Sequence, residues 1–231
     1  MAFNGLNKDV ARLILLQRIE LASPFLSKIR KSFGRYLFTN FITKFFISPK
    51  SINKKYYSLM KNEFFELQKK INFDNKEILS IGSGMCGLEL VINEKIKNNK
   101  FTIIEKNYVS KKVKYGWDEK NIEGYNNLNL LKKFMLKNGM KNNFKIYDFD
   151  RDNLPFGKFD LIISLYSLDY HYDFKTYLNF FKKVVNKDTI FIFDTIRPQF
   201  FRLLFENVEI ISSSQKKIHS SKRIICKKFI N

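Results

Sequence analysis

The sequence predicts an α/β protein: a mostly parallel sheet of seven strands with helices on both faces, ending in an antiparallel C-terminal hairpin and preceded by a helical extension. Three observations carry this reading. From residue 76 onward, short apolar runs alternate with segments of helical spacing, the pattern of strands joined by crossover helices. After Arg197-Pro198 that alternation stops, and two short runs flank a turn rich in Ser, Gln and Lys. Before residue 76 the apolar residues repeat at helical spacing alone.

The extension resolves into three amphipathic segments. Val10, Leu13, Ile14 and Leu21 form the first stripe, Phe25, Ile29, Phe33, Tyr36 and Phe41 the second, and Ile52, Tyr56, Leu59, Phe64, Leu67 and Ile71 the third. Ser48 followed by Pro49 reads as an N-cap and a first-turn proline, where the missing N–H costs nothing. Residues 77–81 are the first strand, and Leu88, Val91, Ile92 and Ile96 the helix that follows. Residues 101–104 are a second strand, completing a β-α-β unit. A polar stretch containing Trp117 leads to a helix with Leu128, Leu131 and Met135, and Gly139 stands where its chain must take a positive φ. Residues 144–147, 159–165 and 189–193 supply three more strands, with Tyr177, Leu178, Phe181 and Val185 on the intervening helix. Parallel strands covered on both faces are the expected outcome. The boundary falls near residue 75, giving an N-terminal helical cap at 1–75 and the α/β domain at 76–231.

Composition excludes several classes. With 45% hydrophobic residues, 9 Gly and 4 Pro in 231, the chain can bury a core and is neither disordered nor collagenous. Its two cysteines and two histidines, Cys86, Cys226, His171 and His219, supply no disulfide framework and no zinc-ligand spacing, so no metal is expected. No apolar run approaches the ~18 residues of a membrane span, and Arg12, Gln17 and Arg18 interrupt any signal-like region. A cytoplasmic protein is expected, with peripheral contact to a membrane as an option. The net charge of +20 would favour phosphate-rich polymers or anionic surfaces. It also fits the Lys-, Asn-, Ile- and Phe-rich bias of an AT-rich genome. Residues 1–75 hold fourteen Lys and Arg against five acids, with none between Glu20 and Glu63. That stretch is either a cap packed on its own domain or a surface for membrane or nucleic acid.

The chemistry concentrates in two places. Gly82-Ser83-Gly84-Met85-Cys86-Gly87 sets three glycines in G-x-G-x-x-G spacing between a strand and a helix, where backbone and helix N-terminus can face a ligand. Glu105 follows the second strand, 23 residues after Gly82, where a carboxylate can take both hydroxyls of a ribose. Together they indicate an adenosine-containing cofactor. Residues 78–84 (Ile-Leu-Ser-Ile-Gly-Ser-Gly), 101–105 (Phe-Thr-Ile-Ile-Glu), 150–156 (Asp-Arg-Asp-Asn-Leu-Pro-Phe) and 159–164 (Phe-Asp-Leu-Ile-Ile-Ser) resemble, in order, four motifs of the class I S-adenosylmethionine-dependent methyltransferases. The resemblance covers about two thirds of the chain.

That resemblance implies a Rossmann-like fold and S-adenosylmethionine as cofactor. It sets Gly82, Ser83 and Gly84 against the methionine and ribose, Glu105 on the ribose hydroxyls, Asp150 on the adenine amino group, and Ser164 and Leu165 at the methionine end. Ser80 stands where the family often has an acid and Cys86 where it often has glycine, which would move contacts to Gly87. The [Asp/Asn/Ser]-Pro-Pro-aromatic stretch of exocyclic-amine methyltransferases is absent, as is a Pro-Cys nucleophile. What remains is O-methylation of a small-molecule or saccharide acceptor, or another atom of RNA; a third reading is a non-catalytic module that binds the cofactor or a membrane. His171, in the loop after the fourth strand, is the candidate base, with Asp169 or Asp173 to orient it; the alternative is a structural histidine. Asp194, at the end of the fifth strand, is a second candidate, or else a carboxylate paired with Arg197. Tyr166, Tyr170, Tyr172 and Trp117 could wall a ring or sugar, although core packing explains them as well.

Overall fold

The computed structural model describes residues 2–110, 124–169, 172–211 and 221–230, the side chains at 31, 33–36, 39 and 40 excepted. The extension folds as α1 (Lys8–Gln17), α2 (Pro24–Leu37), a π-helical turn at Phe38–Ile42, α3 (Thr43–Phe45) and α4 (Pro49–Gln68). Asn7 caps α1 by accepting from the Val10 N–H, and Ser48 caps α4 with Pro49 in its first turn. Both side chains satisfy amides that the helix start leaves without a partner.

The α/β part runs β1 (Glu77–Ile81), α5 (Gly87–Lys95), β2 (Lys100–Glu105), α6 (Leu128–Lys137), β3 (Phe144–Asp148), β4 (Leu161–Ser164), α7 (Leu178–Val184), β5 (Ile190–Thr195), β6 (Phe205–Ile211) and β7 (Lys222–Phe229). These strands make one seven-stranded sheet in the order β3-β2-β1-β4-β5-β7-β6. The first five are parallel, and β7 inserts antiparallel between β5 and β6. Gly139 takes φ +88° just past α6, as a C-terminal cap requires.

Side-chain alternation divides the core into two layers. Ile78, Phe101, Ile103, Leu161, Ile163, Ile192 and Ile225 face α1, α4, α5 and α6. Leu79, Ile81, Ile104, Ile162, Phe191, Phe193, Ile224 and Cys226 face α7 and the 3₁₀ turns at Phe174–Tyr177 and Pro198–Leu203. Phe174 is the hub of the second layer, with ring centroids of Phe181, Phe193 and Phe201 at 5.0, 5.4 and 5.1 Å. The N-terminal helices therefore share the first core layer with the sheet, and α1 and α4 reach the carboxyl ends of the central strands.

Candidate functional site

The strand order reverses between β1 and β4, and loops leaving the carboxyl ends of adjacent strands diverge there to open a crevice. The loop after β1 is shaped by left-handed residues. Gly82 and Gly84 have φ of +62° and +61°, and Cys86 takes φ +52°, a conformation that favours glycine. A Cβ on Gly82 would lie 1.9 Å from Ser167 Oγ, and one on Gly84 2.4 Å from Gln17 Oε1. Both glycines are thus required by conformation and by close approach.

Glu105 closes over this loop. Its carboxylate accepts from the Gly84 N–H at 2.6 Å and from the Lys106 N–H at 2.9 Å. Asn126 ties the same loop by donating to the Gly84 carbonyl at 2.7 Å. Burial pushes the Glu105 carboxyl up to about 7, opposed by those backbone donors. Asp150 is half exposed beside Lys106, Nζ to Oδ1 3.4 Å, and the same ammonium lies 5.2 and 5.6 Å over the rings of Phe149 and Tyr172. A buried carboxylate held by neutral amides therefore stands near a second acid whose partner, Lys106, lies over two aromatic faces. That chemistry fits a nucleoside diol, an exocyclic amine and a sulfonium cation.

Three side chains bearing on the loop escaped sequence reasoning. Gln17, at the end of α1, accepts from the Met85 N–H at 3.1 Å and donates to the Tyr125 carbonyl at 2.6 Å. Tyr56 accepts from the Gly87 N–H at 2.9 Å, and burial raises its phenol far above the ordinary range. Glu89, buried on α5, accepts from Ser80 Oγ at 2.7 Å and is pushed by burial up to about 7. A carboxylate therefore does stand beside the end of β1, supplied from the helix and not from position 80. Only Glu89 had a local signal, an acid on the inward face of an apolar helix.

Several expectations are corrected. Gly87 is buried and its amide donates to Tyr56 on the helix layer. Ser164 donates to the Ile81 carbonyl at 2.7 Å and accepts from the Leu168 N–H at 2.9 Å, a staple between β1 and the loop after β4. Asp194 sits opposite Arg223 in the β5–β7 register and binds it through both oxygens at 3.1 Å, while also accepting from the Tyr166 N–H. Its partner is Arg223 and not Arg197. Asp169 accepts from Thr195 Oγ1 and from Arg197, which also bridges to Asp173 at 2.8 Å. Both aspartates are ion-pair members. His171, with Tyr170, Trp117 and His219, lies outside the described residues.

The ion pairs continue into the extension. Arg223 reaches Glu63 at 3.3 Å, Glu63 binds Arg18 at 2.7 Å, and Arg18 binds Glu20 at 2.6 Å. Tyr166 is caught against this chain, its ring 4.9 Å from the Arg18 guanidinium and 5.7 Å from that of Arg223. Burial pushes its phenol up to about 12. Tyr166 and Asp169 both take φ +57°, a left-handed strain on non-glycine residues in the loop that overhangs the crevice.

No protein-family model matches the chain, and no curated protein is a detectable sequence relative. Its likenesses are structural. A Nostoc punctiforme protein provisionally named an O-methyltransferase superposes with a TM-score of 0.52 at 11% identity, over 96% of this chain and 72% of that one. A methyltransferase from Pyrococcus furiosus gives a TM-score of 0.46 at 16% identity, over 74% and 82% of the two chains. A precorrin-6y C5,15-methyltransferase from Geobacter metallireducens gives 0.42 at 12%, over 74% and 87%. The first likeness shows the fold: this chain has the seven-stranded Rossmann-like fold of class I methyltransferases.

Proposed function

We propose that this protein is an S-adenosylmethionine-dependent methyltransferase acting on a hydroxyl of a small-molecule or saccharide acceptor. The observation that carries the cofactor is Glu105, a buried carboxylate bonded to the Gly84 amide at the carboxyl ends of β1 and β2. Glu105 would hold the ribose hydroxyls, Asp150 the adenine amino group, and the backbone of Gly82, Ser83 and Gly84 with Leu165 the methionine end. When bound, S-adenosylmethionine supplies an electrophilic methyl on a sulfonium. The protein's own task is to position the acceptor oxygen in line and to exclude water. It must also remove a proton from a hydroxyl acceptor.

For that proton His171 is the residue we assign, since Asp169 and Asp194 are occupied by arginines. The segment bearing His171 is bounded by Asp169 and Asp173, and Arg197 clamps both. The strained Tyr166 and Asp169 support this loop as the place where the acceptor is held, because such backbone persists where the surrounding structure over-determines it.

Calorimetric titration of the purified chain with S-adenosylmethionine and S-adenosylhomocysteine tests the cofactor. Micromolar binding is expected, weakened in Glu105→Ala and abolished in Gly84→Val, whose new side chain meets Gln17. A folded protein that binds neither ligand would overturn the reading. His171→Gln, assayed against a panel of hydroxylated acceptors, should lower kcat with cofactor affinity unchanged.

A further inference from the structure

The segment joining α2 to α4 leaves three phenylalanines together in solvent. Phe41 lies 5.0 Å from Phe45 and 6.3 Å from Phe46 between ring centroids. Their exposures are 48%, 58% and 60%. Singly exposed apolar residues are ordinary, whereas rings in mutual contact and open to water form a patch. The same molecule buries Phe38, Phe64 and Phe101 to 1%. Phe25 and Leu37, on α2, are exposed as well.

The segment carrying the patch is strongly basic, and Asp9 on α1 is the acid nearest to it. Between Glu20 and Glu63 there are nine Lys and Arg and no acid. Lys8 Nζ stands 5.8 Å over the Phe45 ring, and Lys28, Lys44, Lys50 and Lys54 are exposed. Apolar rings carried on a basic segment, with one ammonium directly over them, match the two layers of an anionic bilayer surface, acyl chains beneath phosphate headgroups. A nucleic acid would share the attraction of charge, but it is bound by ring faces offered to successive bases. Here the rings are tilted 53° and 48° against one another and hold together as one apolar knob.

We propose that this face docks the protein on the surface of an anionic phospholipid membrane. The device reaches the cofactor loop through α1. Lys8 begins that helix under Phe45, Arg12 Nε donates to Thr43 Oγ1 at 3.2 Å, and Gln17 ends it on the Met85 amide. From Lys8 to Gln17 the helix rises about 14 Å, so one short helix touches the docked face at its start and the loop at its end. The surface stands independently of the methyltransferase reading.

Flotation of the purified full chain with vesicles tests it. The protein should rise with phosphatidylcholine vesicles containing roughly 30% phosphatidylserine, not with phosphatidylcholine alone. Raising salt to ~0.5 M should reduce binding as the screening length shrinks. Phe41→Ser with Phe45→Ser and Phe46→Ser should weaken binding at least about tenfold, with the melting temperature held because all three are exposed. Lys44→Glu with Lys50→Glu should weaken it comparably while leaving the rings in place. The proposal is overturned by wild-type protein that ignores anionic vesicles, or by both variants floating as wild type does. It is equally overturned if the chain binds single-stranded RNA through these residues and no vesicle.

Discussion

The two sides of the crevice bury the same functional group and treat it oppositely. At the β1–β2 side, Glu89 and Glu105 are met by a hydroxyl and by backbone amides, and burial pushes both carboxyls up to about 7. At the β4–β5 side, Asp194, Asp169 and Glu63 are met by Arg223, Arg197 and Arg18. Burial works against Glu63 too, yet its two guanidiniums hold the carboxyl below its ordinary value. Neutral donors leave a carboxylate able to exchange partners, and paired arginines fix it in place. On the function proposed above, the first side receives a ligand, while the second holds the extension, the β4 loop and the last strands in register.

The comparison breaks most severely at Asp194. Its removal in Asp194→Ala leaves Arg223 buried with only a shared Glu63, which should cost about 3–5 kcal/mol. A chain of this size should then lose roughly 6–20 °C in melting temperature. Differential scanning calorimetry reads it directly. Asp194→Ala melting with wild type would show that the arginine chain is not structural.

The next effect has the opposite sign. Because Glu89 keeps its proton in the folded state up to about 7, the folded chain binds more protons than the unfolded one between 4.5 and 7. Its contribution to stability falls as pH rises through that window, by up to about 3 kcal/mol. Glu89→Gln, which preserves an acceptor for Ser80, should therefore stabilise the protein at pH 8 and leave it unchanged near pH 4. Denaturant melts at the two pH values decide it.

These two carboxylates also mark how far the sequence could be read. The parallel sheet, the hairpin and the glycine loop were legible because they rest on local signals: alternation, its end after Arg197-Pro198 with two runs flanking a polar turn, and glycine spacing ahead of Glu105. Asp194 was legible as a candidate base or an ion-pair member, but with Arg197 as its partner, since Arg223 meets it only through the β5–β7 register, 29 residues later. Gln17 and Tyr56 reach the loop from helices 68 and 31 residues away, distances over which no spacing rule operates. Gly87 and Ser164 sit within correct motifs, but their polar atoms are consumed by Tyr56 and by Ile81 with Leu168. Motif position located the loop, and only packing could say which atoms faced outward.

Glu105 sharpens the ligand-receiving side. On the proposed reading a ribose diol would donate to the charged carboxylate, so affinity for S-adenosylmethionine should fall as pH drops below about 7, approaching tenfold per pH unit. Glu105→Gln should bind more weakly at pH 8 and show a flat profile. Titration calorimetry across pH 6–8 distinguishes this from general instability, because Glu89→Gln retains the wild-type slope.

The smallest effect belongs to Glu63, the carboxylate between two arginines. Glu63→Gln leaves Arg18 with Glu20 and Arg223 with Asp194, so neither guanidinium is stranded. The loss should be about 1 kcal/mol, a fraction of that at Asp194, because a charged hydrogen bond is removed without orphaning its partner. Its pH dependence also reverses that of Glu89. A carboxyl held below its ordinary value stabilises the fold above about 4.5 and loses that contribution as pH falls, so wild type and Glu63→Gln should converge in acid. Were Glu63→Gln as damaging as Asp194→Ala, the chain from Glu20 to Asp194 would act as one cooperative unit, and the extension would be indispensable to the sheet it covers.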